Sequence, residues 1–259
     1  KYSQVQNFNI YGNERYVHQY ISEEYPQNEI NFDLNKIKLI TIDIEVAAES
    51  GFPDVFNVAE ELLLITIQDY ATKRIITWGS RPYVKNPQKK NHIYIDCHSE
   101  EGLITRFVDW WTKNTPEVIT GWNCEMYDIP YLMGRIDRLM GEKFAKRMSP
   151  WGICRRNEIT IQGRPNIVYD LAGISVIDYL DLYKKSPATP NQESFRLDHI
   201  AMMELGQKKL DHSEYDTFRD FYTKNWQKFV DYNVVDVELV DRLEDKLKLI
   251  DLCCTRAYD

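Results

Sequence analysis

The sequence contains no apolar run of about 18 residues, and this absence excludes a helix that crosses a membrane. Residues 1–4 (Lys-Tyr-Ser-Gln) have neither the basic nor the apolar part of a signal peptide, so we expect a cytoplasmic protein without a membrane partner. Cysteine is also scarce. The five cysteines include no Cys-x-x-Cys pair, which argues against a zinc or dithiol site and predicts free thiols.

Positive charge is in short supply as well. Lysine and arginine total 32 against 40 aspartates and glutamates, for a formal net charge of −8 at pH 7. This balance by itself disfavours a nucleic-acid partner, because phosphate attracts basic proteins. The objection is weaker for an enzyme whose clustered carboxylates hold divalent cations, since the cations supply the positive charge that a phosphate needs.

The hydrophobic pattern predicts one mixed α/β domain, preceded by a polar segment at residues 1–36. Strands are predicted at 38–46, 62–69, 74–78 and 92–96, as a largely antiparallel meander, and at 118–120 and 175–182. Helices are predicted at 100–113 (capped by Ser99), 129–140, 194–205 and 226–250. Residues 157–161 and 167–171 predict a β-hairpin with a five-residue loop. This order is compatible with a ribonuclease-H-like fold, but other α/β folds share it.

Two carboxylates lie on the strongest predicted strand. Asp43 and Glu45 point to the same face, because side chains at i and i+2 do so in a strand. Chance alone supplies about six such acidic pairs in a chain of this composition, so the spacing is a weak signal. The hydrophobic setting strengthens it, since buried charge requires a cation or another partner. The alternative is a strand end that emerges into water.

Two more acidic positions are candidates for the same chemistry. Asp128 begins a predicted helix, where capping of the helix is an equally good interpretation. Tyr232 and Asp236 are four residues apart on the last helix and therefore share one face. For such a pair alone, ordinary surface or half-buried helix positions are the commoner outcome.

Together these segments resemble the three exonuclease motifs of the family B DNA polymerases of the T-even bacteriophage type. They stand here as residues 43–45 (Asp-Ile-Glu), 123–128 (Asn-Cys-Glu-Met-Tyr-Asp) and 232–236 (Tyr-Asn-Val-Val-Asp). Similar stretches include 120–123 (Thr-Gly-Trp-Asn) and 173–185, and the resemblance is weakest at about 55–90. The polymerase palm motifs, Ser-Leu-Tyr-Pro-Ser and Asp-Thr-Asp, do not occur.

The resemblance implies an α/β, ribonuclease-H-like mixed sheet flanked by helices, with a β-hairpin insertion and part of an N-terminal lobe. Residues 1–36 would belong to the polymerase N-terminal domain and residues 37–259 to a 3′→5′ proofreading exonuclease domain. The implied enzyme removes nucleoside monophosphates from single-stranded or frayed DNA 3′ ends with two Mg²⁺ or Mn²⁺ ions. Its implied partners are that DNA or a primer–template, the rest of the polymerase chain and replication accessory proteins.

The resemblance also implies roles for single residues. Asp43, Glu45 and Asp236 would hold one metal ion, and Asp43 would share a second with Asp128. The remaining implied roles are an attacking water oriented by Tyr232, a terminal base stacked on Phe52 and Tyr127, a terminal nucleotide contacted by Asn123, and a scissile phosphate near Lys209.

Two other functions remain open at this point. A silent DNA-binding or docking module would keep the fold only as a scaffold, but all five motif residues are intact. A related nuclease would cut internal phosphates, and circular single-stranded DNA would distinguish it from an exonuclease.

Overall fold

The computed structural model describes residues 20, 23–24, 33–48, 51, 53–187 and 189–256. Most of the proposed N-terminal segment, residues 1–36, lies outside them, so that domain boundary stays a prediction. The strands are β1 (Leu39–Val46), β2 (Leu62–Asp69), β3 (Ile75–Gly79), β4 (His92–Asp96), β5 (Val118–Gly121), β6 (Cys154–Ile161), β7 (Arg164–Leu171) and β8 (Ser175–Asp178).

The helices follow the same chain order. They are α1 (Glu100–Lys113), α2 (Asp128–Met140), α3 (Glu142–Ala145), α4 (Tyr179–Lys185), α5 (Leu197–Leu205), α6 (Phe218–Lys224), α7 (Trp226–Leu247) and α8 (Leu249–Arg256), with short 3-10 turns at Leu34–Lys36 and Lys146–Met148. None of the helices in these described ranges is long and apolar enough to cross a membrane. The five cysteines are free thiols, as predicted.

Six strands form one mixed sheet in the order β4-β3-β2-β1-β5-β8. The β1–β2 and β2–β3 pairs are antiparallel, whereas β5 runs parallel to β1 and β8 runs parallel to β5. The predicted meander is wrong at its last step, because β4 pairs with β3 in parallel. The long connection at 80–91 gives the chain room to return to the starting end of the sheet.

Helices cover both faces of this sheet, which gives a three-layer arrangement. Strand β1 is a central strand, because it lies between β2 and β5. Ile40, Ile42 and Ile44 pack in the hydrophobic core that contains α1 and α2. The opposite face packs against α7, whose Val234 and Val237 share a core with β2 and α6. The predicted fold class, a ribonuclease-H-like mixed sheet flanked by helices, is confirmed.

The predicted hairpin is present, but its turn is tighter than predicted. Strands β6 and β7 form a separate two-stranded sheet, and the register pairs Ile161 with Arg164. Only Gln162 and Gly163 remain in the turn, with φ of 49° and 78°, the left-handed conformation of a two-residue hairpin turn. Pro165 joins the strand because a two-stranded ribbon leaves half of its backbone N–H groups unpaired.

Several predicted boundaries are wrong for local reasons. The strand predicted at 175–182 stops at Asp178, whose side chain caps α4. The helix predicted at 226–250 ends at Leu247, because Lys248 adopts a left-handed conformation with φ of 55° before α8 begins. The helix predicted at 194–205 begins at Leu197, and α6 was not predicted. By contrast, β2, β4 and α1 with its Ser99 cap occur as predicted.

A buried ion pair connects α1 and α2. Arg135 donates to both carboxylate oxygens of Glu100, at 2.6 Å each, and the two side chains are 9% and 10% exposed. Glu100 also accepts from the backbone N–H of Leu62 at 2.7 Å, and Arg135 donates to the carbonyls of Val58 and Ala59. The pair therefore joins two helices to the start of β2.

We predict that Arg135→Met lowers the free energy of unfolding by about 3–5 kcal/mol, because it leaves the Glu100 carboxylate buried without a cation. Urea unfolding followed by circular dichroism measures this. Glu100→Gln combined with Arg135→Met should recover part of the loss, since glutamine still accepts from Leu62 without a charge. Arg147→Met, which breaks an exposed pair with Asp109, should cost less than about 1 kcal/mol. Equal losses in Arg135→Met and Arg147→Met would contradict this account.

Candidate active site

Three carboxylates from two distant parts of the sequence meet at the centre of the sheet. Asp43 and Glu45 lie on β1, and Asp236 lies on α7, which crosses that strand. One oxygen from each of the three residues lies within 4.8 Å of the other two. This carboxylate cluster has the spacing of a metal site.

Packing of α7 brings Asp236 to β1. The helix is anchored by fully buried side chains, among them Phe229, Val234 and Val237. Asp236 is itself only 4% exposed, because it lies on the face of α7 that packs against the sheet. Asp236 therefore does not lie at the surface, whereas Tyr232 is half-buried, which is one of the ordinary positions expected for such a pair.

Asp128 joins the site from the start of α2, but it is not a helix cap. Its Oδ1 accepts from the backbone N–H of Ile44 at 3.0 Å, between the two acidic residues of β1. The N-cap position is Tyr127, which makes no side-chain capping bond. Asp128 is 3% exposed and lies outside the three-carboxylate cluster. The capping alternative is therefore wrong, and Asp128 lies beside Asp43.

Lys209 and Tyr232 lie together at the edge of the cluster. Lys209 donates through Nζ to Oδ2 of Asp236, and the same Nζ is 3.5 Å from the hydroxyl of Tyr232 and 5.2 Å from the centre of its ring. Two other rings meet the ring of Tyr232 nearly at right angles, those of His212 at 5.4 Å and Phe221 at 5.7 Å. Tyr232 is therefore held by neighbours on several sides.

Asn233 is a site residue to which the sequence analysis assigned no role. It is fully buried, and its Nδ2 donates to Oδ2 of Asp43 at 2.5 Å. The signal that could have identified it is its position between Tyr232 and Asp236, on the same buried stretch of helix. Among the described residues, Oδ1 of Asn233 and Oδ1 of Asp236 are buried without a hydrogen-bond partner.

Burial and mutual repulsion favour the neutral forms of these acids. Burial, followed by repulsion from Asp128 and Asp236, raises the pKa of Asp43 well above its usual range. Burial and Asp236 raise the pKa of Glu45 to about 8, and burial raises that of Asp128 to about 7.

Lys209 and Tyr232 respond to the same charges. Burial by itself would lower the pKa of Lys209, but the acidic groups around it, those of Asp236, Tyr232 and Asp43 together, outweigh burial and raise that pKa, so the ammonium stays charged. Burial and Asp236 also raise the pKa of Tyr232, which keeps its phenol protonated.

A cavity of about 870 Å³ opens beside the cluster. Asp43, Tyr232 and Lys209 lie on its wall. The rest of the cavity wall includes the cationic side chains of Arg196 and Lys208, together with Trp122 and His212. The cavity therefore offers both negative and positive groups next to the clustered acids.

Asn123 and Tyr127 are brought to a second cavity, of about 940 Å³, together with Pro53 and residues of the β6–β7 hairpin. Tyr127 also packs against Tyr131, with ring centres 5.8 Å apart. Phe52, the third residue predicted to bind a terminal nucleotide, lies outside the described residues. The loop that carries Asn123 and Tyr127 is short, because it joins the end of β5 to the start of α2.

The chemistry of the cluster fits divalent metal ions. Its ligands are carboxylate oxygens only, which suit hard cations such as Mg²⁺ and Mn²⁺. The pKa values of Asp43 and Glu45 are raised first by burial and then by repulsion between the acids, and a bound cation would offset both effects. Oδ1 of Asp236 is a buried carboxylate oxygen without a donor, and a cation would give it a partner. The three carboxylates could therefore hold a metal ion.

We predict that the metal-free protein becomes less stable as the pH rises from about 5 to about 8. A carboxyl group with a raised folded-state pKa binds more protons when folded, so its stabilising contribution is complete at low pH and disappears as the pH passes the raised value. For Glu45 this window extends from the usual 4.5 to about 8. Thermal unfolding in the presence of a chelator measures the slope, and added Mg²⁺ should restore more stability at pH 8 than at pH 5.

Glu45→Gln should make that pH dependence less steep, because it removes one of the carboxyl groups whose pKa is raised. Glu158→Gln is the matched control, since Glu158 is an exposed carboxylate on the hairpin. A wild-type slope in Glu45→Gln would contradict the assignment of this titration to the cluster.

Comparisons with known proteins show the family of the chain. Residues 5–200 match the exonuclease domain of DNA polymerase family B. The matched part contains Asp43, Glu45 and Asp128, whereas Lys209, Tyr232 and Asp236 lie beyond it and join the site through the tertiary structure.

Viral DNA polymerases are similar over much of the chain. The DNA-directed DNA polymerase of Escherichia phage RB69 is 32% identical and that of Enterobacteria phage T4 is 30% identical, each over 92% of this chain and 29% of its own length. The DNA polymerase of Bombyx mori nuclear polyhedrosis virus is 29% identical over 59% of this chain and 16% of its own length. The chain thus spans less than a third of the phage relatives, and it belongs to the family B DNA polymerases as an exonuclease domain of the phage type.

Proposed function

We propose that this domain is a 3′→5′ exonuclease that proofreads for a DNA polymerase. In this proposal it hydrolyses the last phosphodiester of a single-stranded or frayed DNA 3′ end and releases a nucleoside monophosphate. The observation that carries the proposal is the convergence of Asp43, Glu45 and Asp236 within 4.8 Å beside a cavity. Membership of the exonuclease-domain family supports the same reaction.

The acidic residues would hold two Mg²⁺ or Mn²⁺ ions. Asp43, Glu45 and Asp236 would hold one, and Asp43 and Asp128 would hold the other. When bound, such ions activate a water molecule and neutralise charge on the phosphate and on the leaving oxygen. The chain contributes a fixed carboxylate frame, in which Asn233 and the N–H of Ile44 restrain the oxygens of Asp43 and Asp128.

Tyr232 would orient the attacking water. Its raised pKa keeps the phenol protonated, so the hydroxyl acts through hydrogen bonds and does not remove a proton as a base. Lys209, charged and 3.5 Å from that hydroxyl, would pair with the scissile phosphate next to the cluster. Water orientation and charge neutralisation would thus come from neighbouring side chains.

Selection for frayed ends would come from the residues around the second cavity. Asn123 would contact the terminal nucleotide, and Tyr127 and Phe52 would offer aromatic surfaces to its base, with stacking worth about 1–3 kcal/mol per base. The β6–β7 hairpin at the same cavity would help to keep primer and template apart. A mismatched 3′ end costs less to unpair, so it would reach the site more often.

Asp43→Ala and Asp128→Ala should each abolish most hydrolysis of an end-labelled single-stranded oligonucleotide in Mg²⁺, because each removes a carboxylate of the proposed metal frame. The assay follows release of mononucleotides on a gel, and a chelator should stop the wild-type reaction. Asp109→Asn, on the exposed face of α1, is the control. Wild-type rates in both site variants would rule out this site.

Circular single-stranded DNA should remain uncut by the wild-type domain, since it has no 3′ end. Cleavage of the circle would instead support a nuclease that acts on internal phosphates, and absence of hydrolysis on every substrate would support a silent module.

Tyr232→Phe should lower kcat by about tenfold to a hundredfold, because it removes the hydroxyl that orients the water while keeping the ring. Tyr83→Phe is the matched control, since the Tyr83 hydroxyl donates to Asp231 of α7 at 2.8 Å and Tyr83 does not line the cavity beside the cluster. Single-turnover rates of both variants measure the effect. Equal rates in Tyr232→Phe and wild type would exclude this role for the hydroxyl.

A further inference from the structure

Asp178 is a buried carboxylate with no assigned role, and it lies where two segments of the chain meet. It is the last residue of β8, next to Gly121 at the end of β5 in the parallel register, and it is 6% exposed. The ends of parallel strands meet at one edge of a sheet, so the loop that follows β5 passes directly beside Asp178. That loop carries Asn123, Tyr127 and, at its end, Asp128.

Four backbone N–H groups donate to this one carboxylate. Two belong to the start of α4: Leu180 at 2.9 Å and Asp181 at 3.3 Å, both to Oδ1. The other two belong to the loop: Asn123 donates to Oδ1 at 3.2 Å and Glu125 to Oδ2 at 3.0 Å. Capping of α4 uses only the first two bonds. The two hydrogen bonds from Asn123 and Glu125 are therefore not needed to cap α4.

The loop conformation depends on these contacts. Asn123 has a φ of 68°, in the left-handed region that asparagine tolerates better than most residues but that still costs conformational energy. The N–H groups of Met126 and Tyr127 both donate to the carbonyl of Asn123, which closes a tight turn. A carboxylate that holds the N–H of Asn123 therefore fixes the first residue of this turn.

The loop has little freedom to settle elsewhere. Gly121 allows a close approach to β1, because a Cβ at this position would lie 2.5 Å from the carbonyl oxygen of Ile42. Cys124 is fully buried. Gly121 and Cys124 are thus restrained by packing. The bonds from Asn123 and Glu125 to Asp178 then set how the loop presents its side chains. Asn123, Tyr127 and Asp178 all line the second cavity.

We propose that Asp178 is a positioning residue for substrate binding: it holds the 122–127 loop so that Asn123 and Tyr127 face the terminal nucleotide. This inference rests on the proposed function, since it assumes that this loop meets the DNA 3′ end. Among the described residues, Asp178 accepts its hydrogen bonds from backbone N–H groups and makes none with the clustered carboxylates. It acts through the backbone of Asn123 and Glu125.

Asp178→Ser separates the two roles of the carboxylate. A serine hydroxyl still caps α4 but is too short, with its single oxygen, to hold Asn123 and Glu125 as well. We expect KM for a single-stranded oligonucleotide to rise about tenfold or more in Asp178→Ser, with a smaller change in kcat and with unchanged Mn²⁺ affinity in a titration of the protein alone. Asp178→Asn, which keeps an acceptor oxygen but turns an NH₂ group toward the loop, should show a smaller rise.

Ser99→Ala is the control for lost stability, because it removes the cap of α1, and that capping bond to Gly102 belongs to a different part of the fold. Its KM should equal that of the wild type. A wild-type KM in Asp178→Ser, or a loss of Mn²⁺ affinity that accounts for the whole defect, would overturn the proposal. If Asp178→Ser does not fold, Asp178→Asn compared with Ser99→Ala decides the question by the same criterion. Absence of hydrolysis by the wild type would instead refute the proposed function.

Discussion

Packing holds the buried carboxylates of β1 and α7 close together. The repulsion between these carboxylates determines how the rest of the site is built. Asp43, Glu45 and Asp236 are close enough to share a cation, and each would be costly to ionise alone in such surroundings. Lys209 supplies one positive charge to the cluster, and Asn233 supplies a neutral donor. The protein thus reduces the repulsion only in part, and the remainder favours binding of divalent metal ions.

The sheet topology explains why these groups meet. Strands β1, β5 and β8 are parallel neighbours, so their carboxyl ends lie at one edge of the sheet. Asp43 and Glu45 occupy the end of the first strand, Asp128 follows the second, and Asp178 ends the third. Helix α7 then crosses the central strand and adds Tyr232 and Asp236 from a distant part of the sequence. One arrangement of strands therefore serves both the core and the site.

Much of this site was accessible from the sequence because its motifs are local. A strand with period two placed Asp43 and Glu45 on one face, and a spacing of four residues placed Tyr232 and Asp236 on one face of a helix. The resemblance to family B DNA polymerases then joined these separate segments. The strand and helix predictions were best where a single hydrophobic period ran between clear boundaries, as in β2 and α1.

What the sequence by itself determined about this protein is the identity of the acids, the elements that carry them and the α/β class, since these depend on short-range spacing and hydrophobic pattern. Only the tertiary structure decided that Asp128 binds the backbone of Ile44 and is no cap, that Asn233 restrains Asp43, and that Asp178 ends a strand and gathers four N–H groups. Apart from the bonds of Asp178 to the start of α4, these facts depend on contacts between residues 53 to 190 positions apart in the chain. Local propensity carries no information about such partners, because chain packing alone brings them together.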